Sequence, residues 1–529
     1  MSTQMNVDVP SGGNLPAMSD PILYDKWKSL CPFLYDFFVN HKLAVSTHRA
    51  CAAPRAALHP LAPILSPRPL PHTHDLPTDA DTPLSIHLFM QKESLACRWG
   101  ADRKRSKLKN VQTAYYSEQR NRGDVEAGDL NKLHIVEIDI VEPRASTAEK
   151  FSNFKNNFTS PFVRRHVMTI FHPGECNRIR EIGPNPNLIT THTDSPNVLL
   201  WNVKTQPKRG IKGDKIAKKE PSKPDAELEG HTGNAEFALA THANSPYVVS
   251  GGSDNLVVLW SIEDHMSTLG LSEAGSCKGR VSWNSGGAGY SQTKINARQI
   301  FRGHKQVVGD VDINPNDCHQ IVSVGDDGKV LFWDERTGES PVQAIDDAFG
   351  TTGGDPCMIN CVQYNPNDDN MLLTGSGDGR LKLFDCRYVG DKRRRELKEF
   401  KHDIVGDENE IMWMEWSPFN KDVFASSDKQ GIVNVWDLSK ANSDCAPEGK
   451  PNELLIQHAG HRFECVDFHW NPYEDWTILS VSYDQVTNDD GAQLGEGGAT
   501  LQVWRISEHL TRSQDEIIAE LEAHRKQGT

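Results

Sequence analysis

The sequence lacks the segments that mark membrane-spanning and secreted proteins. A membrane-spanning helix needs about 18 consecutive apolar residues, and none of the apolar runs in this sequence is that long. The N-terminus also lacks an apolar signal segment. The 11 cysteines show no paired Cys-x-x-Cys spacing. We therefore expect a soluble, intracellular protein in a reducing compartment, without a disulfide framework and without contact to a membrane.

The common catalytic and metal-binding signatures are also missing. The sequence contains no P-loop, no Gly-x-Ser-x-Gly motif and no Cys/His cluster with the spacing of metal ligands. Four histidines in a proline-rich stretch, His48, His59, His72 and His74, are irregularly spaced and have few acidic or cysteine neighbours. We therefore expect no enzymatic activity, no cofactor and no metal ion.

Negative charge is in excess, with a formal net charge of −15. Such a balance disfavours nucleic acid as a direct ligand and favours a basic partner, although solubility alone also explains it. With 529 residues and 37% hydrophobic residues, the chain can bury a large core and carry further elements beyond it.

A stretch containing Gly-His, Asp and Trp recurs along the chain at a fixed spacing. In its clearest copy Trp260 follows His231 by 29 positions (260 − 231), and Asp254 lies six positions before the tryptophan. The other copies end at Trp201, Trp333, Phe384, Trp436 and, after a longer spacing, Trp504. In the copy that ends at Trp436, Asp407 replaces the histidine and Gln430 replaces the turn aspartate, which predicts a weaker network in that unit. The repeat has the signature of WD-repeat β-propellers.

The residues between these landmarks have the pattern of short strands. Apolar runs such as Tyr247–Ser250 and Leu256–Leu259 are bounded by Gly, Asn, Asp and Pro, which is typical of half-buried strands joined by tight turns. Because the His and Asp recur from copy to copy, we interpret them as a buried structural network, since one active site would need them only once.

The repeats predict an all-β fold, a seven-bladed WD-repeat β-propeller with an N-terminal amphipathic helix and a short C-terminal helix. Six repeats run from His166 to Ile506, and strand-like segments at Val111–Ser117 and Leu133–Val141 predict an irregular first blade. We expect a strand at Leu95–Trp99 to complete the last blade, so that the ring leaves no sheet edge exposed.

Composition divides the chain into five parts. Asp20-Pro21 is typical of a helix start, and the apolar residues that follow have helical spacing, with a kink expected at Pro32. The parts are a disordered N-terminus (1–19), an N-terminal helix (20–43), a disordered proline-rich insertion (44–93), the propeller (94–506), and a C-terminal helix and tail (507–529).

Several longer sequence motifs resemble those of one protein family. Residues 31–36, 171–178 and 452–461 resemble the retinoblastoma-binding, MSI-type histone-binding WD-repeat proteins, in that family's order. Residues 191–196 and 234–239 are most similar to plant members linked to flowering-time control. The resemblance implies a non-catalytic histone-binding scaffold of deacetylase or Polycomb-type repressor complexes. Its expected location is nuclear, and also cytoplasmic.

The resemblance implies two histone sites. The first is a groove that receives the first helix of histone H4, with apolar walls and an acidic rim that selects a basic partner. Its implied residues are Phe33, Leu34, Phe37, Phe38, Leu454, Leu455 and Ile456, with Asp444 and Glu448 on the rim. The second is the mouth of the ring, which is expected to take a basic peptide such as the histone H3 tail. Its implied residues are Glu175, Asn177, Glu236 and Phe237.

A second function, substrate receptor of a cullin ubiquitin ligase, stays open at this level. Trp333, Asp334 and Arg336 match the WD-x-Arg box that such receptors present to their adaptor, and residues 384–387 are a variant of it. Asp-x-Arg at a strand end is also a common structural ion pair. The box therefore makes the ligase adaptor a further candidate partner.

Overall fold

The computed structural model describes the backbone in the following parts of the chain. These are residues 35–42, 96–105, 109–118, 130–141, 163–209, 220–234, 237–265, 269, 293–352, 354–402, 409–441, 451–461, 463–482, 500–512, 515–516, 518–519 and 522–523. In some strands, including residues 36–42, only the backbone is described.

Strands make up nearly all of the regular structure in these parts. They are β1 (Tyr35–Lys42), β2 (Cys97–Arg105), β3 (Lys109–Glu118), β4 (Asn131–Val141), β5 (Val163–His172), β6 (Arg178–Ile182), β7 (Asn185–His192), β8 (Val198–Asn202), β9 (Ala226–Glu229), β10 (Leu239–Thr241), β11 (Tyr247–Gly251), β12 (Leu256–Ser261), β13 (Thr293–Asn296), β14 (Gln299–Arg302), β15 (Val308–Ile313), β16 (Gln320–Gly325), β17 (Val330–Asp334), β18 (Gln343–Ile345), β19 (Thr351–Thr352), β20 (Asp355–Pro356), β21 (Ile359–Asn365), β22 (Asp368–Ser376), β23 (Arg380–Asp385), β24 (Glu396–Lys401), β25 (Ile411–Trp416), β26 (Val423–Asp428), β27 (Val433–Asp437), β28 (Leu454–His458), β29 (Cys465–Trp470), β30 (Thr477–Ser482) and β31 (Thr500–Ile506).

The helices in the described parts are short. They are α1 (Lys392–Arg395), α2 (Glu508–Thr511) and 3-10 turns at Glu263–His265, Cys386–Tyr388 and Leu438–Lys440. The predicted C-terminal helix is confirmed at α2, and residues 515–516, 518–519 and 522–523 are also helical. Leu510 packs α2 against the core of the last blades.

The sheets form seven blades arranged in a ring, which confirms the predicted fold class. Blade 1 is β2-β3-β4-β5, and blade 2 is β6-β7-β8-β9 with β13 added. Blade 3 is β10-β11-β12-β14, blade 4 is β15 to β18, blade 5 is β21 to β24, and blade 6 is β25 to β28. Blade 7 is β29-β30-β31-β1. The first strand of each blade contacts the first strand of the next, and β29 contacts β2, so these inner strands line a central channel.

Two predictions about the N-terminal part of the propeller are wrong. Residues 35–42 form a strand and not the end of a helix, and β1 pairs antiparallel with β31, with Phe38 opposite Trp504. The segment predicted at Leu95–Trp99 to complete the last blade instead begins the inner strand of blade 1, with Cys97 opposite Tyr116. The physical reason is the open edge of β31, whose backbone groups β1 pairs. The rest of the predicted helix, residues 20–34, lies outside the described residues.

Each blade is packed on both faces by its neighbours, which explains the pattern of the strands. All five residues of β8 are buried, and the same holds for β11 and β27. A strand covered on both sides can be apolar at successive positions, as β8 is from Val198 to Trp201. Buried tryptophans, among them Trp201, Trp260 and Trp436, fill the space between blades.

Segments of the two long insertions that follow β8 and β12 cover the outer edges of blades 1 and 2. After β8 the chain returns along β5, where Thr169 donates its N–H to the carbonyl of Arg209, and Ser222 donates to that of Phe171. After β12 the chain supplies β13, which pairs parallel with β9. These insertions thus satisfy backbone groups at sheet edges that would otherwise face solvent.

Candidate interaction surfaces

The recurring histidines form hydrogen-bond networks inside the blades. In blade 4, Nε2 of His304 lies 2.7 Å from Oγ of Ser323, and Nδ1 lies 3.0 Å from Oδ1 of Asp327. Trp333 donates its Nε1–H to the same Ser323 hydroxyl at 2.8 Å. His231 in blade 3 makes the equivalent contacts with Ser250 and Asp254. Because these groups satisfy one another inside the blades, the structural interpretation of the recurring His and Asp is supported.

In blade 6 the network is complete, although the sequence spacing predicted a weak one. His402 contacts Ser426 at 2.8 Å and Asp428 at 2.9 Å, and Trp436 donates to the Ser426 hydroxyl. Asp428 also accepts the N–H groups of Gln430 and Ile432. The expected defect at Gln430 is therefore absent, because Asp428, two residues earlier, holds the turn. Asp407, expected to replace the histidine, lies outside the described residues.

Acidic side chains on the inner strands bind the backbone of the neighbouring blade at several junctions of the ring. Asp310 in blade 4 accepts the N–H of Val362 at 3.0 Å, and Glu415 in blade 6 accepts that of Trp470 at 2.8 Å. The ring closes in the same way, because Asp467 in blade 7 accepts the N–H of Cys97 in blade 1 at 2.9 Å. Burial raises the pKa of Asp310 to about 6 and that of Glu415 to about 7.

Cationic side chains from blade 2 extend into the channel. The guanidinium of Arg178 lies 4.1 Å from the ring centre of Trp413 in blade 6, and its Nη1 lies 3.7 Å from Oδ1 of Asp467. Arg180 lies 5.0 Å from the same tryptophan ring. These contacts join blade 2 to blades 6 and 7 across the ring, so the channel is occupied by the protein's own side chains.

The predicted mouth residues lie on the face formed by the loops that precede the inner strands, which we call the mouth face. Glu175 is half-buried, whereas Asn177 is buried and donates its N–H to the carbonyl of His192. Phe237 is 47% exposed, an unusual state for a large aromatic side chain. Glu236 lies outside the described residues.

The mouth face also carries residues that the sequence analysis did not single out. Val307 and Met358 are exposed, and each offers its carbonyl to the turn between the second and third strands of its blade. Glu410 holds the equivalent position in blade 6 and pairs with Lys429 at 2.9 Å. These residues share one position, immediately before an inner strand or within two residues of it. That position is the sequence signal that could have found them.

The charge of Glu410 acts on two other carboxyl groups of this face. The pKa of Asp326 is raised by burial and then by the charges of Asp327 and Glu410. The pKa of Glu464 is also raised, first by burial; the charge of Lys429 opposes this shift, and the charge of Glu410 adds to it. Acidic groups from blade 4 and from the loops before the inner strands of blades 6 and 7 thus lie close enough to interact. The mouth face combines them with exposed apolar side chains.

The residues predicted for the side groove are only partly described. Phe33, Leu34, Asp444 and Glu448 lie outside the described residues, and Phe37 and Phe38 belong to β1 with only their backbone described. Leu454 and Leu455 are half-buried, and Ile456 is buried. Tyr35 belongs to the same hydrophobic cluster as these three residues, so β1 and β28 do lie together at the junction of blades 6 and 7.

The WD-x-Arg box lies on the face opposite the mouth. Trp333 is buried within blade 4, whereas the Arg336 side chain is 52% exposed. Arg336 donates Nε–H and Nη2–H to the two oxygens of Asp334, and Nη2–H also to Asp317. Hydrogen bonding to Arg336 lowers the pKa of Asp334. Arg336 is thus both structurally paired and accessible.

A cavity of about 300 Å³ lies between blades 4 and 5 beside this box. Trp333 and Asp334 line one side, and Cys386 and Arg387 of the variant box line the other. Arg387 is held by Asp385 in the same two-oxygen geometry. The two boxes, separate in sequence, therefore border one depression.

Within the parts of the chain that the structure describes, no group of three His, Cys, Asp or Glu side chains could hold a metal ion. No helix there is long and apolar enough to cross a membrane. The cysteines of these parts are not disulfide-bonded, and burial raises the pKa of Cys97 and Cys361 well above the usual range.

The ring of seven blades, with its His, Ser, Asp and Trp networks, defines a WD-repeat β-propeller. The family model described as WD domain, G-beta repeat matches residues 222–261, 296–334 and 349–385. The WD-40 repeat-containing protein MSI4 of Arabidopsis thaliana is 37% identical over 501 residues, which are 94% of this chain and 84% of that protein. The chain belongs to the MSI-type family of WD-repeat proteins.

Proposed function

We propose that this protein is a non-catalytic histone-binding scaffold of chromatin-modifying repressor complexes, of deacetylase or Polycomb type. It acts in the nucleus, in transcriptional repression and flowering-time control. The partners are the histone H3 tail at the mouth face and the first helix of histone H4 at the junction of β1 and β28. The proposal rests on one observation, the combination of exposed Phe237 with interacting carboxylates on the mouth face.

The chemistry of the mouth face supports a basic peptide as its ligand. Asp326, Glu410 and Glu464 make the local potential more negative, and a lysine or arginine of a bound peptide adds to the partial compensation that Lys429 provides. Phe237 offers a ring face to the same cations, and Val307 and Met358 offer apolar contact area. An Arg/Lys-rich tail satisfies both kinds of group.

The junction of β1 and β28 supports an apolar helix face as ligand. Leu454 and Leu455 keep part of their side chains accessible, while Ile456 and Tyr35 anchor the underlying strands in the core. A surface of this kind contributes anchors for a partner helix without a change in the blades.

Calorimetry with two peptides tests the proposal on the full chain. We expect a histone H3 N-terminal tail peptide and a histone H4 first-helix peptide to bind independently. Phe237→Ala should weaken H3 binding about tenfold, the usual cost of an aromatic anchor, and leave H4 binding unchanged. Leu455→Asp should do the reverse.

Val342→Ala is the matched control, because Val342 is 48% exposed but lies away from the mouth face. A wild-type chain that binds neither peptide contradicts the histone assignment. The same titration on a variant without residues 44–92 distinguishes two reasons for such a result. If the insertion inhibits binding, the deletion variant binds the peptides and the full chain does not; if the histone assignment is wrong, neither protein binds.

A second candidate function, substrate receptor of a cullin ubiquitin ligase, is favoured by the two Asp-Arg pairs that border one cavity. Arg336→Ala should abolish binding to the ligase adaptor and leave histone binding intact. Loss of both activities would indicate misfolding, and retention of both would contradict the receptor function.

A further inference from the structure

Four Ser-Pro dipeptides fall within the described parts of the chain, and they differ in accessibility. Ser417 is buried and caps its own turn, and Ser195 is half-buried with its hydroxyl bonded to Asn197. Ser245 is also half-buried. Ser340 is exposed, and its hydroxyl makes no hydrogen bond to any residue that the structure describes. Ser340 therefore stands apart from the other three.

The backbone around Ser340 is also accessible. Gly338 has a φ of +121° with no atoms near the position of a side chain, and Glu339 and Val342 are exposed. The strand that follows, β18, has only three residues and forms the outer edge of blade 4. A segment with few buried contacts at a sheet edge opens at low cost, so an enzyme can bind it in extended form.

A cation lies beside this segment. Arg302 donates its backbone N–H to the carbonyl of Glu339, and its guanidinium, 60% exposed, lies 3.7 Å from the Glu339 carboxylate. Pro341 lies next to Gly303, the neighbour of Arg302. A phosphate on Ser340 would carry a charge of about −1.5 to −2 within reach of Arg302 and would compete with Glu339 for it.

We propose that Ser340 is a phosphorylation site for a proline-directed serine/threonine kinase, and that Arg302 binds the phosphate. In the transfer, Oγ of Ser340 forms a bond to the γ-phosphorus of Mg-ATP. The bond from that phosphorus to the β–γ bridging oxygen breaks, ADP leaves, and the hydroxyl proton passes to the base of the kinase. The modified residue lies four positions after Arg336, so it adds negative charge next to the exposed WD-x-Arg box.

The test is phosphorylation of the folded, full-length chain by such a kinase with Mg-ATP, followed by site-resolved mass spectrometry. Ser340 should carry phosphate at an occupancy on the order of tenfold above Ser195, Ser245 and Ser417, because these three are less accessible. Ser340→Ala should remove that signal, and Ser245→Ala should leave it unchanged.

A synthetic peptide of residues 334–346 shows whether the fold or the local sequence decides a negative result. Phosphorylation of the peptide without phosphorylation of Ser340 in the folded chain overturns the claim of accessibility. Failure of both overturns the claim that the sequence is a substrate. Neither outcome bears on histone binding, which is measured separately.

The role of Arg302 has its own readout. In the phosphorylated chain, ³¹P NMR titration should give a lower second pKa for the phosphate than in phosphorylated Arg302→Gln, since a nearby guanidinium favours the dianion. Equal values in the two proteins would contradict pairing with Arg302.

Discussion

The hydroxyl of Tyr35 lies 2.7 Å from Nδ1 of His458, which joins the N-terminal strand to the outer strand of blade 6. The directions of these hydrogen bonds follow from the partners. Gln502 donates its Nε2–H to the carbonyl of Gly460, so its Oε1 accepts from Nε2–H of His458 at 2.8 Å. His458 is neutral, because burial lowers its pKa to about 3, and its Nδ1 must therefore accept from Tyr35. One histidine thus connects β1, β28 and β31.

Replacement of Tyr35 should loosen this junction. Tyr35→Phe keeps the ring packed against Trp504 but removes the donor to His458. We expect a loss of about 1–2 kcal/mol in the free energy of unfolding, the cost of a buried acceptor that loses its donor. Urea unfolding measures it, with Tyr388→Phe as control, since the hydroxyl of Tyr388 has no hydrogen bond in the described structure. Equal losses in both variants would refute the role of His458.

The two candidate turn residues of blade 6 should differ sharply in importance. Asp428→Ala removes the partner of His402 and the acceptor of two turn amides, so we expect a loss of about 2–4 kcal/mol. Gln430→Ala should change stability by less than about 0.5 kcal/mol, as a surface substitution does. Chemical denaturation of both variants decides the matter. A larger loss of stability in the Gln430 variant would instead support the prediction from sequence spacing, in which position 430 is the turn position of this blade.

Closure of the ring should depend on Asp467. Asp467→Ala removes the acceptor for Cys97 and leaves Arg178 buried without its nearest carboxylate. Breaking a buried ion pair from one side costs about 3–5 kcal/mol. We expect a clear fall in melting temperature, and amide exchange should rise first in β2. Exposed Asp346→Ala, whose partner Lys329 lies at the surface, is the control and should have little effect. Unchanged stability of the Asp467 variant would mean that the ring closes by strand packing alone.

Asp310 should make the fold less stable as the pH rises. Its pKa is about 6 in the folded chain, above the ordinary value of 3.8, because burial disfavours the carboxylate. The folded chain therefore binds more protons than the unfolded chain between these pH values. This contribution to stability is present below about 3.8 and is lost as the pH rises through about 6.

Asp310→Asn removes that contribution while it keeps an oxygen that can accept the N–H of Val362. Relative to wild type, the variant should gain about 1–3 kcal/mol of stability as the pH is raised from 4 to 8, because burial disfavours the Asp310 carboxylate. Melting curves at a series of pH values test this. A constant difference between the two proteins across the series would show that Asp310 is ionised throughout.

The sequence by itself determined the blades. The spacing of His231, Asp254 and Trp260, repeated along the chain, predicted six units and the structural role of their polar residues, because these features arise within about 30 consecutive residues. Strand-like segments before the first repeat predicted the seventh blade. Burial on both faces can also be predicted from the sequence, because a strand such as β8 has apolar residues at successive positions. Local pattern was therefore sufficient for the fold class.

Only the tertiary structure decided how the ring closes and what its surfaces offer. The apolar spacing of residues 35–42 suits a helix as well as a strand, and the open edge of β31, far along the chain, selected the strand. The bond between Cys97 and Asp467 joins positions 370 residues apart, and no periodicity records such a pair. The carboxyl groups of the mouth face interact because loops from separate blades meet there. Such contacts depend on which elements meet in space, whereas a sequence pattern reports only the environment of each element along its own length.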